Sequence, residues 1–217
     1  MAHGQEQQQS PEQKELNDYI KYLKERVFFE PLSAALHYNL GVAYVNKGLT
    51  DEAISELKQA IQCDPNLAEA HVNLGGLLFQ KGELDQCIEA NLKALALNPN
   101  LPMAHSNLGF AYLQKGEHRK ALESSQRAVE LMPRLLRAYN TIAMAYLELE
   151  QPDESIAAAR KILELNPGFA SAHFALAVAL RMKGETGKAR EHYEKAKAMG
   201  LPIDEETEKI WSKLELE

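Results

Sequence analysis

Apolar residues in this chain fall at helical spacing, in short runs that stop and restart at regular intervals. Leu40, Tyr44 and Val45 share one helix face, and Ala53, Leu57 and Ala60 share another, the three- and four-residue steps of an amphipathic helix. Between such runs stand Lys-Gly pairs ending at Gly48, Gly82, Gly116 and Gly184. Glycine adopts a positive φ there without steric cost and closes a helix. Asp51-Glu52 and Asp153-Glu154 follow two of the breaks, with acid at the positive end of a helix dipole. Gln151-Pro152 replaces the glycine turn once, and proline suits the first position of the next helix. Asp64-Pro65, Asn98-Pro99 and Asn166-Pro167 end the second run of each pair, because a residue before proline avoids the α region. The pattern predicts an all-α chain of helix pairs.

The pairs repeat. HYNLGVAY begins at His37, HVNLGGLL at His71 and HSNLGFAY at His105, each a step of 34 residues, and the step continues through Tyr139 and His173. Pro65, Pro99, Pro133 and Pro167 keep it, as do the small residues Ala53, Cys87, Ala121, Ser155 and Ala189. Gly41, Gly75 and Gly109 let two helices approach closely. One such hairpin cannot bury its own apolar faces, so neighbours must stack.

This 34-residue unit resembles the tetratricopeptide repeat family, whose pattern places Leu-Gly, Tyr, Ala, Ala and Pro at fixed offsets. Leu40, Gly41, Tyr44, Ala53, Ala60 and Pro65 fit it, and so do Leu108, Gly109, Tyr112, Ala121, Ala128 and Pro133. The resemblance implies a right-handed α-solenoid with full units at 34–67, 68–101, 102–135, 136–169 and 170–203. The unit at 136–169 is degenerate, with Ile142-Ala143 in place of Leu-Gly, and the last proline slips one place to Pro202. Residues 13–33 carry the period backwards as a half repeat, with a helix at 13–29 and the stripe Leu16, Ile20, Leu23 and Val27. Residues 1–12 are Gln-rich and expected to be disordered. Residues 204–217 are expected to form a capping helix, started by Asp204, with the apolar stripe Ile210, Trp211 and Leu214.

Composition removes several classes of function. A net charge of −7 argues against nucleic acid as the main ligand, since phosphate binding needs clustered positive charge. No apolar run reaches about 18 residues, so no membrane insertion is expected. The start has no apolar segment of a secretory signal, and two cysteines suit a cytoplasmic protein. No phosphate-binding loop, nucleophile elbow or metalloprotease motif is present. His37, His71, His105 and His173 occupy equivalent places in different hairpins, so they cannot converge within about 2.1 Å of one metal. They read as core residues, and His118 and His192 as lone surface residues. Neither catalysis nor a cofactor or metal is expected.

Within the resemblance, the first helix of each unit lines a concave surface. Its candidate peptide-binding residues are Asn39, Val42 and Asn46, then Asn73, Phe79 and Gln80, then Asn107, Phe110 and Gln114, and lastly Asn140, Met144, Phe174 and Arg181. Leu113, Thr141, Leu147 and Val178 belong to the same face. Asn39, Asn73 and Asn107 repeat in register, and an amide both donates and accepts, so each could hold a peptide backbone. In this respect the units resemble those of the O-GlcNAc transferase superhelix. An exposed apolar patch of this size marks a binding site, unless a terminal segment covers it. The Lys, Arg and Asn set with which some family members grip acidic chaperone tails is missing: Tyr38, Val42, Met103 and Asn107 stand at its places, and only Asn73 matches. The expected function is a non-catalytic scaffold that binds a peptide or helix of a partner. The alternatives are self-assembly through the N-terminal edge, where Tyr19, Tyr22, Phe28 and Phe29 lack a covering helix, or a targeting or regulatory subunit of a separately encoded enzyme.

Overall fold

A computed structural model of the chain describes residues 10–213. Its regular structure is entirely helical and divides into two compact units, one up to Pro99 and one from Asn100 onward. The first unit contains α1 (Pro11–Phe29), α2 (Ala34–Lys47), α3 (Thr50–Cys63), α4 (Ala68–Gln80) and α5 (Leu84–Leu97). The second contains α6 (Pro102–Gln114), α7 (His118–Leu131), α8 (Leu136–Glu148), α9 (Pro152–Leu165), α10 (Ala170–Met182), α11 (Thr186–Ala198) and α12 (Glu205–Lys213). Within each unit, consecutive helices of the repeats pack on one another. Leu214 and the Gln-rich residues 1–9 lie outside the described residues.

The turns follow from local chemistry. Gly48, Gly82, Gly116 and Gly184 have φ of 73° to 76°, the left-handed conformation that ends a helix most cheaply in glycine. At the same register position the second unit has Glu150, with φ 56°. The break expected at Gln151-Pro152 is thus made by a non-glycine residue in the left-handed region, which costs roughly 1 kcal/mol or more. Helix α1 starts at Pro11 rather than at 13. Ser10 and Gln13 form a reciprocal capping box there, and Pro11 occupies the first turn. Residues 11 and 12 are therefore helical, in contrast to the disordered tail expected through residue 12.

The close approach inside each hairpin is steric. A Cβ on Gly75 would lie 2.1 Å from Asn91 Nδ2, and one on Gly109 would lie 2.1 Å from Ser125 Oγ. Asn91 is itself fully buried and donates to the Cys87 carbonyl at 2.8 Å. In the first unit, Ile20 and Leu23 of α1 pack with Leu40 and Ala43 of α2. In the second, an apolar cluster runs from Ile142 and Leu147 through Ile162, Leu176 and Tyr193 to Trp211. The Tyr193 and Trp211 rings stack at 4.6 Å, so α12 seals the last hairpin with the chain's only tryptophan. Ile210 of the expected α12 stripe is exposed.

The repeated histidines close the loops between hairpins. The Nε2 of His37 bonds the Pro31 carbonyl at 3.0 Å, and that of His71 bonds the Pro65 carbonyl at 3.1 Å. His173 bonds the Pro167 carbonyl in the same way. Each satisfies a loop carbonyl two residues past the end of the preceding helix. His37, His71 and His173 are buried, and His105 is half-buried.

Candidate functional site

Among the first helices of the second unit, α8 contacts both α6 and α10. Their shared face holds a cavity of about 370 Å³, within the range of small-ligand and side-chain pockets. Phe110, Leu113 and Gln114 of α6, Asn140 and Met144 of α8, and Phe174 of α10 line it. Leu201, Pro202, Ile203 and Asp204 supply a further wall, with Thr207 beside them. Five candidate residues thus meet around one space: Phe110, Gln114, Asn140, Met144 and Phe174.

The cavity is mainly apolar but carries one marked polar feature. Asn140 Oδ1 is buried and makes no hydrogen bond among the described residues. A buried acceptor without a partner costs about 1–3 kcal/mol. Asp204 is not free to serve a ligand in the same way. Its carboxylate accepts from the Thr207 backbone N–H at 2.8 Å and from the Thr207 hydroxyl at 2.9 Å. Those bonds cap α12 and hold the Asp204 carboxyl below its usual range.

The remaining candidates have other surroundings. Asn107 is buried at 3% exposure, and its Oδ1 accepts from Arg137 Nη2 at 3.0 Å. The Arg137 guanidinium lies over the Phe110 ring, 5.2 Å from its centre. Arg181 lies over the Trp211 ring at 5.3 Å, so its stem and charge serve the α12 seal. Thr141 and Leu147, expected on the open face, are buried: the Thr141 hydroxyl donates to the Arg137 carbonyl, and Leu147 joins the core. In the first unit, Asn39, Asn46 and Gln80 are exposed, and Val42, Asn73 and Phe79 are half-buried. Asn73 Nδ2 donates to the Tyr38 hydroxyl at 3.3 Å. The three register asparagines therefore stand in three different states.

Sequence reading missed two features. The Leu201–Asp204 wall was signalled only by the proline slip, since Leu201 stands where the period calls for proline. His192 is not a lone surface residue: its Nδ1 lies 2.9 Å from His173 Nδ1, and the rings stack at 5.1 Å. Burial is the main cause that lowers both imidazole pKa values, so both rings favour the neutral form. No group of three His, Cys, Asp or Glu side chains suited to a metal ion occurs among the described residues. No helix there is long and apolar enough to cross a membrane.

Stacked 34-residue helix hairpins with a lined first-helix face define a class of repeat protein, and sequence comparison identifies the family. Models described as TPR repeat match residues 47–82 and 75–116, and models described as tetratricopeptide repeat match 100–168 and 140–201. The chain belongs to the tetratricopeptide repeat family. Among solved structures it is similar to residues 41 to the end of MamA from Desulfovibrio magneticus RS-1. That match has 27% identity and a TM-score of 0.69, and covers 76% of this chain and 94% of that one. It is also similar to YrrB, described as a TPR protein with an unusual peptide-binding site, at 21% identity and a TM-score of 0.71, covering 88% and 97%. A chain of the APC/C hetero-tetramer Cut9–Hcn1 matches at 20% identity and a TM-score of 0.77, covering 93% of this chain and 40% of that one. The last two show a shared fold. No curated protein matches the sequence significantly.

Proposed function

We propose that the protein is a non-catalytic scaffold that holds an extended segment of a partner protein against its first-helix face. In this reading the cavity of the second unit takes one bulky apolar side chain of that segment. Asn140 Oδ1 accepts a backbone N–H beside it. The observation that carries the reading is a cavity lined by Phe110, Met144, Phe174 and Asn140, whose amide oxygen is buried and makes no hydrogen bond among the described residues. Apolar walls favour a desolvated anchor, and a single polar group fixes its direction.

The test is selection of random dodecapeptides displayed on phage against the full chain, followed by binding measurements on one enriched peptide. Enriched peptides should share a large apolar residue. Met144→Asp and Phe174→Asp should each weaken the chosen peptide at least about tenfold, because anchor pockets carry most of the energy of such contacts. Far-UV circular dichroism should stay unchanged, since both side chains are half-buried. Unchanged affinity in both folded variants would reject the reading.

A further inference from the structure

Helix α1 presents a face that the repeat does not account for. It stands in the register of a second helix, so Tyr19, Leu23 and Arg26 occupy the places of Ala53, Leu57 and Ala60. In α3 those three residues are fully buried. In the full hairpins the first of these places holds Ala53, Cys87, Ala121, Ser155 or Ala189, each fully buried where the two helices meet. Tyr19 is instead 46% exposed, and Arg26 is exposed as well. A phenol and a guanidinium at these two places exclude a first helix at ordinary hairpin distance. The face is shaped for a different neighbour.

Its pattern indicates which one. Glu15, Tyr19, Tyr22, Arg26 and Phe29 recur in alternating four- and three-residue steps, the spacing of a two-helix seam. A separate seam of Leu16, Ile20, Leu23 and Val27 packs on α2. Tyr22 is 50% exposed and Phe29 77%, and the Tyr19 and Tyr22 rings stack at 6.5 Å. The seam is also self-complementary in charge, with Glu15 near its start and Arg26 near its end. A parallel copy would set Glu15 on Glu15 and Arg26 on Arg26. An antiparallel copy centred between Tyr19 and Tyr22 sets Glu15 on Arg26 at both ends and gathers four tyrosines in the middle.

We propose that α1 pairs antiparallel with α1 of a second copy of this chain, Tyr19 against the partner subunit's Tyr22 and Glu15 against the partner subunit's Arg26. In the single chain Arg26 is paired with Glu30, so dimerisation exchanges one carboxylate for another and draws its strength from the aromatic centre. Nineteen helical residues span about 28 Å. A contact of that length is at the small end of specific interfaces, which implies a dimer that dissociates on dilution.

Sedimentation velocity of the full chain at low salt, from about 1 to 500 µM, should show a monomer–dimer equilibrium. Tyr19→Glu/Tyr22→Glu should weaken it at least about tenfold. Glu15→Arg and Arg26→Glu should each weaken it alone. An equimolar mixture of those two single variants should regain the dimer, because each end contact then joins opposite charges. Circular dichroism confirms folding, since all four side chains are exposed in the single chain. A chain that stays monomeric throughout overturns the proposal. So does a dimer indifferent to the tyrosine pair, or a mixture of charge variants that fails to associate.

Discussion

The first helices of residues 10–99 and of residues 100–213 follow the same 34-residue register, yet they present different chemistry. In the first unit Asn39 is exposed and Asn73 donates to the Tyr38 hydroxyl. In the second, Asn107 is buried under Arg137, and the amide whose oxygen makes no hydrogen bond among the described residues is Asn140, one residue short of a full register step away. The difference teaches that a repeat fixes where a side chain starts but not what it meets. One arginine on the next helix turns a surface amide into a structural one.

The strongest way to probe the comparison is through packing, where the two units should behave alike. Gly75→Ala in the first unit and Gly109→Ala in the second should each cost about 2 kcal/mol, because each new Cβ meets a buried polar side chain at 2.1 Å. Gly41→Ala should cost less than about 1 kcal/mol, since its nearest obstacle is the Leu57 side chain at 3.0 Å. Thermal and urea unfolding would measure all three. If Gly109→Ala is neutral, the close approach does not hold the second unit.

Next come the asparagines, where the units should differ. Asn107→Ala should destabilise by about 1–2 kcal/mol, because it removes the amide acceptor of a half-buried guanidinium. Asn39→Ala should stay within about 0.5 kcal/mol, being an exposed change. Equal effects at the two positions would erase the contrast.

A pH response should be smaller and should belong to the second unit. Burial, then nearby Lys195, holds His173 below the ordinary imidazole range against the opposing Pro167 carbonyl, and burial, His173, Lys195 and Arg160 hold His192 below it while Glu191 opposes them. Their folded pKa values lie below the unfolded value of about 6.5, so their contribution is complete above that pH and is lost as pH falls through and below it. His192→Gln should flatten the loss of Tm between pH 7.5 and pH 5. An unchanged slope would show that the pair does not titrate on unfolding.

The smallest effect concerns a turn. Glu150→Gly should raise stability by roughly 0.5 kcal/mol, as relief of the left-handed strain slightly exceeds the entropy cost of glycine. Gly48→Glu at the equivalent turn of the first unit should lower it.

Much of the fold was legible in the sequence because its determinants are local. Turn glycines, loop prolines and the small residues at Gly75, Gly109 and Cys87 act within one hairpin and repeat where the period puts them. The cavity was only half legible. Phe110, Gln114, Asn140, Met144 and Phe174 fell on the predicted face, but the Leu201–Asp204 wall depends on a backbone path outside the period. The Arg137–Asn107 bond and the His173–His192 pair join residues 30 and 19 positions apart. Their side chains meet only once neighbouring helices have packed.

In the proposed function the second-unit cavity receives an apolar anchor. Methyl NMR of the full chain, with methionine methyl groups labelled with ¹³C and a phage-selected peptide titrated in, tests it most directly. Met144 lines the cavity, whereas Met182 and Met199 are exposed and lie outside its lining. The Met144 signal should shift to saturation in step with binding while Met182 and Met199 hold their positions, and Asn140→Ala should weaken the titration. Saturable binding that leaves Met144 unmoved would contradict it.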